Sequence, residues 1–282
     1  MAGRLTALRG FLMKKPLGTT GLLIMVFIVG LGLAAPYVAP HDPYQLNRRA
    51  ILEPPSSTHW FGTDALGRDI LSRTIYGARI SIFVGLVAMV ASAILGAAAG
   101  VTSGYFGGTF DLVIQRFVDA LTAFPSLLLA LTLMAAFGSS LSNVILAITI
   151  TFAPRITRVI RGVSLSIKET PYIDASRSVG ASHLRTMVRH VLPNTFASLV
   201  VVSTGLMGSA ILIEASLSFL GVGMPVNIIS WGSMLSGEIL MDFAASPWIG
   251  IFPGGALTLL VFGINVFGDA LRDVLDPKLR GR

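Results

Sequence analysis

Long apolar runs separated by short polar stretches dominate the chain, and nearly every position inside those runs is apolar. A helix needs roughly 20 such residues to cross the hydrocarbon core of a bilayer. Six segments qualify in part or whole: Leu17–Ala39, Ile80–Thr102, Phe117–Phe137, Leu141–Ala153, Thr195–Leu220 and Trp248–Phe267. The fourth run is short. It spans only by including Pro154 and the turn beyond it, or by borrowing from Gly138–Ser140. Arg4, Arg9, Lys14 and Lys15 precede the first run, as in the basic region of a signal peptide. Its apolar stretch exceeds the roughly 7–15 residues of a signal core, which favours an uncleaved first span.

Composition agrees with this pattern. Of 282 residues, 53% are hydrophobic and 12% charged, against roughly 25% charged in ordinary soluble domains. Such a chain cannot coat a soluble globule with polar groups; it is an integral membrane protein. Cysteine is absent, which excludes disulfides and thiolate sites. The four histidines form no HExxH pair, so no metal site is expected. The net charge of +7 belongs to membrane flanks rather than to a nucleic-acid surface. No lysine follows a glycine, so the chain lacks a phosphate-binding P-loop.

Positive charge sets the expected orientation. The N-terminal tail holds four Lys/Arg, the stretch Arg155–Arg189 seven, the C-terminal tail four, and Gly221–Pro247 none. Six spans with both termini and the Arg155–Arg189 loop in the cytoplasm satisfy all four counts. The expected division is a cytoplasmic tail (1–16), a first transmembrane helix (17–39), an external loop with an interfacial helix (40–79), a five-helix core (80–269) containing a cytoplasmic loop (154–194), and a cytoplasmic tail (270–282). The external loop dissents, carrying Arg48, Arg49, Arg68, Arg73 and Arg79. Within it, Thr63 or Asp64 is a candidate cap for a short amphipathic helix bearing Leu66, Ile70 and Leu71. Gly96, Gly100, Gly104 and Gly108 make three GxxxG steps on one face if the second span continues that far, a packing signal in lipid.

The cytoplasmic loop reads as a helix–turn–helix. Pro171 suits a first helical turn, and Gly180 ends that helix in a left-handed conformation. Ser182 caps a second helix with Leu184, Met187, Val188 and Val191 on one stripe, and Pro193 punctuates the return to the membrane. Farther on, Glu214 is an acid well inside an apolar segment. Exposure to lipid would cost about 2.5 kcal/mol or more, so it either lines a pathway or gate with Ser216 and Ser218 or joins spans by hydrogen bonding.

Asp174-Ala-Ser176, Gly180 and Leu192-Pro193 resemble the EAA loop of bacterial ABC importer permeases, with Asp for Glu, Ser for the second Ala, and His190 at an Ile position. Ala39-Pro-His-Asp-Pro-Tyr44, His59-Trp-Phe-Gly-Thr-Asp-Ala-Leu-Gly-Arg-Asp69, Ser72-Arg73, Tyr76-Gly-Ala-Arg79 and Glu214-Ala-Ser-Leu-Ser-Phe-Leu-Gly221 narrow this to the dipeptide/oligopeptide/nickel permeases. Their order resembles the second, or C-type, subunit over Pro36 to Pro277.

The resemblance implies an all-α integral membrane protein of six transmembrane helices with the type I ABC importer permease fold and a cytoplasmic EAA coupling loop. It implies a bacterial or archaeal plasma membrane and import of di- or oligopeptides, with nickel chelates, glutathione-like compounds or oligosaccharides as alternatives. The implied partners are a homologous B-type permease, two cytoplasmic ATPase subunits that carry ATP and magnesium, and an extracytoplasmic solute-binding protein. This chain would hold no cofactor and catalyse nothing. ATPase coupling would fall on Tyr172, Asp174, Ala175, Ser176, Gly180, Ala181, Leu184, Leu192 and Pro193. A self-sufficient secondary transporter fits poorly, since no duplicated half is evident. A membrane enzyme fits poorly too, since no acid–base or metal constellation stands out.

Overall fold

In a computed structural model, which describes residues 15–225, 227–237 and 243–275, the chain is helical apart from loops and one isolated β-bridge. The basic tails before Lys15 and after Leu275 lie outside the described residues. The main elements are α1 (Pro16–Leu33), α2 (Ile70–Phe106), α3 (Gly108–Thr122), α4 (Ser126–Phe137), α5 (Leu141–Lys168), α6 (Pro171–Ser178), α7 (His183–Phe219), α8 (Trp231–Met234) and α9 (Trp248–Leu275). Five helices are long and apolar enough to cross a membrane, or six spans if α3 and α4 count as one.

α2 begins ten residues before the expected start of the second span. Its cap is Asp69, whose carboxylate accepts from the Ser72 N–H at 2.8 Å, and no separate helix starts at Thr63 or Asp64. Those two residues instead tie the preceding loop. The Thr63 hydroxyl donates to the Ala50 carbonyl at 2.5 Å, and Asp64 accepts from the Leu66 and Arg68 backbone and pairs with the Arg68 side chain at 2.7 Å. Arg73 is buried, donating to the Pro43 carbonyl at 3.1 Å. Two of the arginines that counted against the expected topology are therefore occupied in holding this loop together.

α2 ends at Gly107, whose φ of +68° breaks the helix. Only Gly96, Gly100 and Gly104 therefore share the packed face. A Cβ at Gly96 would lie 2.7 Å from Ile156 Cβ, at Gly100 2.7 Å from the Thr157 carbonyl, and at Gly104 2.7 Å from Ser164 Cβ, whereas nothing lies near Gly108. The stripe packs α2 against α5 within the chain, where dispersion replaces hydrophobic drive.

The expected third span is sharply bent. α3 and α4 meet at 92° across Ala123–Pro125. Pro125 lacks an N–H and disfavours helical backbone at Phe124. At 1.5 Å per residue, α3 and α4 reach about 22 and 18 Å, each short of the roughly 30 Å hydrocarbon core. α5 takes the first of its two expected routes to span length, continuing through Pro154 to Lys168.

Two buried clusters organise the bundle. One joins α2, α4, α5 and α7 around Met134, Ile148, Phe152, Ile156 and Leu217. The other joins α1, α2, α7, α8 and α9 around Ile28, Ile211, Trp231 and Leu260. Lys15 and Asp273 pair at 2.6 Å, so the start of α1 and the end of α9 share one end of the bundle. α6 stands at that end as well: Tyr172 and Arg272 line the same groove.

Candidate functional site

α6 is built as its sequence dictates. Pro171 occupies its first turn, Asp174 complements the helix dipole there, and Arg177 does so in the last turn. Gly180 has φ +78°. The Gly180 N–H donates to the Arg177 carbonyl at 2.9 Å and the Ala181 N–H to the Ser176 carbonyl at 3.2 Å. This paired closure is a Schellman turn, which needs the left-handed residue that glycine supplies. Ser182 caps the next helix, accepting from the Arg185 N–H at 3.3 Å.

α6 turns a narrow face inward. Ile173 is buried in the first core cluster, and the Ser176 hydroxyl lies 3.4 Å from that of Thr186. Two tyrosine–histidine pairs pin the hairpin. The Tyr172 hydroxyl meets His190 Nδ1 at 2.6 Å, and the Tyr105 hydroxyl, at the end of α2, meets His183 Nδ1 at 3.0 Å. The Arg177 guanidinium stacks over the Tyr105 ring at 5.0 Å. Sequence reasoning gave His190 no role; its partner lies 18 residues away, and no local spacing announces the pair.

The outward surface carries Tyr172, Asp174, Ala175, Val179, Gly180 and Leu184, with Val179 83% and Leu184 68% exposed. The expected apolar stripe thus divides: Met187 and Val191 are buried, Leu184 and Val188 exposed. Ala181 is half-buried, and Leu192 and Pro193 are exposed. Pro193 does not end the helix. A π turn over Met187–Val191, with the Leu192 N–H bonded to the Met187 carbonyl, lets α7 run through it. The widened turn accommodates the proline ring and its missing donor.

Beside this hairpin, α5 presents three arginines to the bent α3–α4 pair. Arg161 forks onto Asp111 at 2.6 and 2.5 Å, Arg158 meets Asp119 at 2.8 Å, and Arg155 donates to the Ser126 hydroxyl at 2.7 Å. Asp111 also accepts from Ser103 of α2. Read from sequence as topology anchors, these arginines also clamp the bend to α5.

Glu214 and Ser218 are buried within the bundle. Ser218 donates to one Glu214 oxygen at 3.0 Å within α7, the other oxygen is buried without a hydrogen-bond partner, Ser81 and Ser230 stand beside the carboxyl, and the Trp231 backbone N–H reaches the Ser81 hydroxyl at 3.3 Å. Ser216 points elsewhere, into an apolar hollow lined by Leu212, Phe219 and Ile251. Polar groups from α2, α7 and the start of α8 converge on this buried carboxyl. A separate open groove of about 1190 Å³ runs between α5, α7 and α9 at the α6 end, lined by Asn194, Ser198, Asp269 and Arg272 among others.

One group of side chains could share a metal ion among the described residues: His41, His59 and Asp69, at the opposite end of the bundle.

Residues 92–281 match the family model described as "Binding-protein-dependent transport system inner membrane component", and residues 7–55 that of the "N-terminal TM domain of oligopeptide transport permease C". The chain is 42% identical over 267 residues to the oligopeptide transport system permease protein OppC of Bacillus subtilis, covering 95% of this chain and 87% of that one. It is 39% identical over 269 residues to the dipeptide transport system permease protein DppC of Alkalihalophilus pseudofirmus, covering 95% and 88%. It is equally similar, 39% over 269 residues with 95% and 88% covered, to the glutathione transport system permease protein GsiD of Escherichia coli. Among solved structures, the MetNI methionine ABC transporter in an inward-facing conformation matches with TM-score 0.60 and 18% identity, covering 73% of this chain and 98% of that one. At that identity the likeness speaks to the fold alone.

Proposed function

The chain belongs to the binding-protein-dependent transport system inner membrane components, and from that premise we propose that it is the C-type permease subunit of an ATP-driven importer of di- or oligopeptides. The family is one of transport permeases rather than enzymes, and the fold is that of an ABC importer permease in a multi-pass membrane protein. Oligopeptide, dipeptide and glutathione permeases among the relatives support a peptide cargo.

In this reading the chain forms half of a translocation path shared with a homologous B-type permease. Two ATPase subunits hold the ATP and magnesium, and a solute-binding protein delivers cargo from outside. The observation that carries the coupling role is the outward face of α6. A short helix, stopped by Gly180 and pinned by Tyr172–His190 and Tyr105–His183, exposes Ala175 and Val179 where a partner could dock. A helix fixed at both flanks passes a push to α2 and α7 instead of absorbing it, which a switch between two bundle arrangements requires. The α5–α7–α9 groove, at the same end, is the surface we assign to the path and the second permease. The α6 end would be cytoplasmic, in the plasma membrane, with both termini on that side.

The test is capture of the tagged chain from gently solubilised native membranes. Recovery with a second permease and two P-loop ATPases is expected. Recovery of the chain alone, under conditions that keep other ABC complexes intact, would overturn the reading.

A further inference from the structure

We propose that His41, His59 and Asp69 form a binding site for one divalent transition-metal ion, zinc fitting best, that clips the segment after α1 to the start of α2. The three residues come from separate stretches of chain, yet one ligand atom from each lies within 4.8 Å of the others. His59 Nδ1 is 2.9 Å and His41 Nδ1 3.7 Å from the same oxygen, Asp69 Oδ1. Ligand atoms about 2.0–2.1 Å from a tetrahedral zinc stand roughly 3.3 Å apart, and the two measured separations bracket that value. The two imidazole donors lie within 4.8 Å of each other, so rotation of the more exposed His41 ring toward Asp69 would bring the three donors into coordination.

His41 Nδ1 supplies an independent sign. It is buried and has no hydrogen-bond partner; a buried polar atom left so asks for an explanation, and a bound ion would supply one. The outer shell is in place. Asp69 Oδ2 accepts from the Ser72 N–H at 2.8 Å and the Ser72 hydroxyl at 2.7 Å, so the carboxylate is held with Oδ1 toward the two rings. The His41 backbone N–H donates to the same Ser72 hydroxyl at 3.0 Å, tying that ligand's main chain to the same point. Two imidazoles and a carboxylate suit zinc, with a fourth position for water. His41 is about one-third exposed and Asp69 buried, which gives the ion an entry from solvent and a fixed floor.

None of the three lines the cavity between Asp64, Arg68, Arg73 and Met234 or the α5–α7–α9 groove. The ion is therefore a resident of the loop and not a passenger on the path. Without it, His59 and Asp69 make an ordinary hydrogen bond and His41 stands beside them; the experiment separates the two.

The full-length chain is purified in detergent without a histidine tag, stripped with a chelator, and titrated with zinc chloride by calorimetry, with thermal unfolding followed in parallel. One equivalent is expected to bind and to raise the thermal midpoint, as any ligand selective for the folded state does. His41→Ala removes the most exposed ligand and keeps the His59–Asp69 hydrogen bond, so it folds. Its affinity should fall by at least about tenfold, since loss of an outer-shell partner alone costs about that much, and zinc should no longer raise its midpoint. His183→Ala, at the other end of the bundle, should bind as the unaltered chain does. Substoichiometric binding by the unaltered chain, or His41→Ala binding as tightly as it does, would overturn the site.

Discussion

Gly100→Ala adds one methyl group where α2 rests on α5. That Cβ would sit 2.7 Å from the Thr157 carbonyl oxygen, 2.9 Å from Ile160 Cβ and 3.0 Å from the Arg161 nitrogen. Ordinary contact begins at 3.4 Å, so the helices must part locally by about 0.7 Å, a gap that forfeits a quarter to a half of each dispersion contact along it. Overpacking of this kind costs about 1–3 kcal/mol. Alanine also gains about 1 kcal/mol of helix propensity over glycine, which would blur the result taken alone. Gly162→Ala removes that ambiguity: Gly162 lies inside α5 with nothing within 4 Å of its would-be Cβ. The propensity gain is common to both variants, so the difference between them isolates the seam. At roughly 2–4 °C per kcal/mol, Gly100→Ala should unfold about 2–12 °C below Gly162→Ala, read by loss of helical circular dichroism in detergent. Equal midpoints would refute close backbone packing of α2 on α5.

Three further outcomes follow from the geometry. A double-mutant cycle on Arg161→Ala and Asp111→Ala should show coupling of about 1–3 kcal/mol in thermal stability, while the half-exposed Arg158–Asp119 pair gives about 0–1 kcal/mol; additive losses at Arg161 and Asp111 would contradict the clamp. Glu214→Gln should keep both stability and peptide uptake, because the amide oxygen still accepts from Ser218, whereas Glu214→Ala should destabilise by about 1–3 kcal/mol. Loss of uptake in a Glu214→Gln variant of normal stability would return that residue to the translocation path. Because the chain has no cysteine, Ser56→Cys and Ser178→Cys, both at exposed positions, report sidedness without background: an impermeant thiol reagent should label Ser56→Cys in intact cells and Ser178→Cys only after permeabilisation. Labelling of both from outside would overturn the orientation.

The α6 hairpin was legible because its determinants are local. Pro171 presets a first turn, Gly180 takes a left-handed conformation, and Ser182 accepts from an N–H three residues on. The spans were legible from apolar length alone, but their limits were not. Where every face of a helix meets lipid or protein, no polar stripe marks where Ile70–Phe106 begins, and the break at Gly107 hid behind an unbroken glycine spacing. Pro125 lay in plain view inside the third run, yet apolar content does not distinguish a straight span from a 92° bend. The contacts that sequence reasoning missed join distant positions: Arg161 with Asp111, Tyr172 with His190, and His41 and His59 with Asp69. Each partner is polar and unremarkable in its own neighbourhood, and only the fold brings the two together. Periodicity placed Leu184, Met187, Val188 and Val191 on one stripe, yet only Met187 and Val191 are buried, while Leu184 and Val188 face outward.

The central claim is that α6 meets an ATPase. Ala175→Cys places a single thiol on its exposed face, and a photoactivatable cross-linker attached there, in native membranes, reports what lies against it. The account predicts an adduct with a P-loop ATPase subunit from position 175 and none from Ser56→Cys at the other end of the bundle. No ATPase adduct from position 175, or the same adduct from both positions, would contradict it.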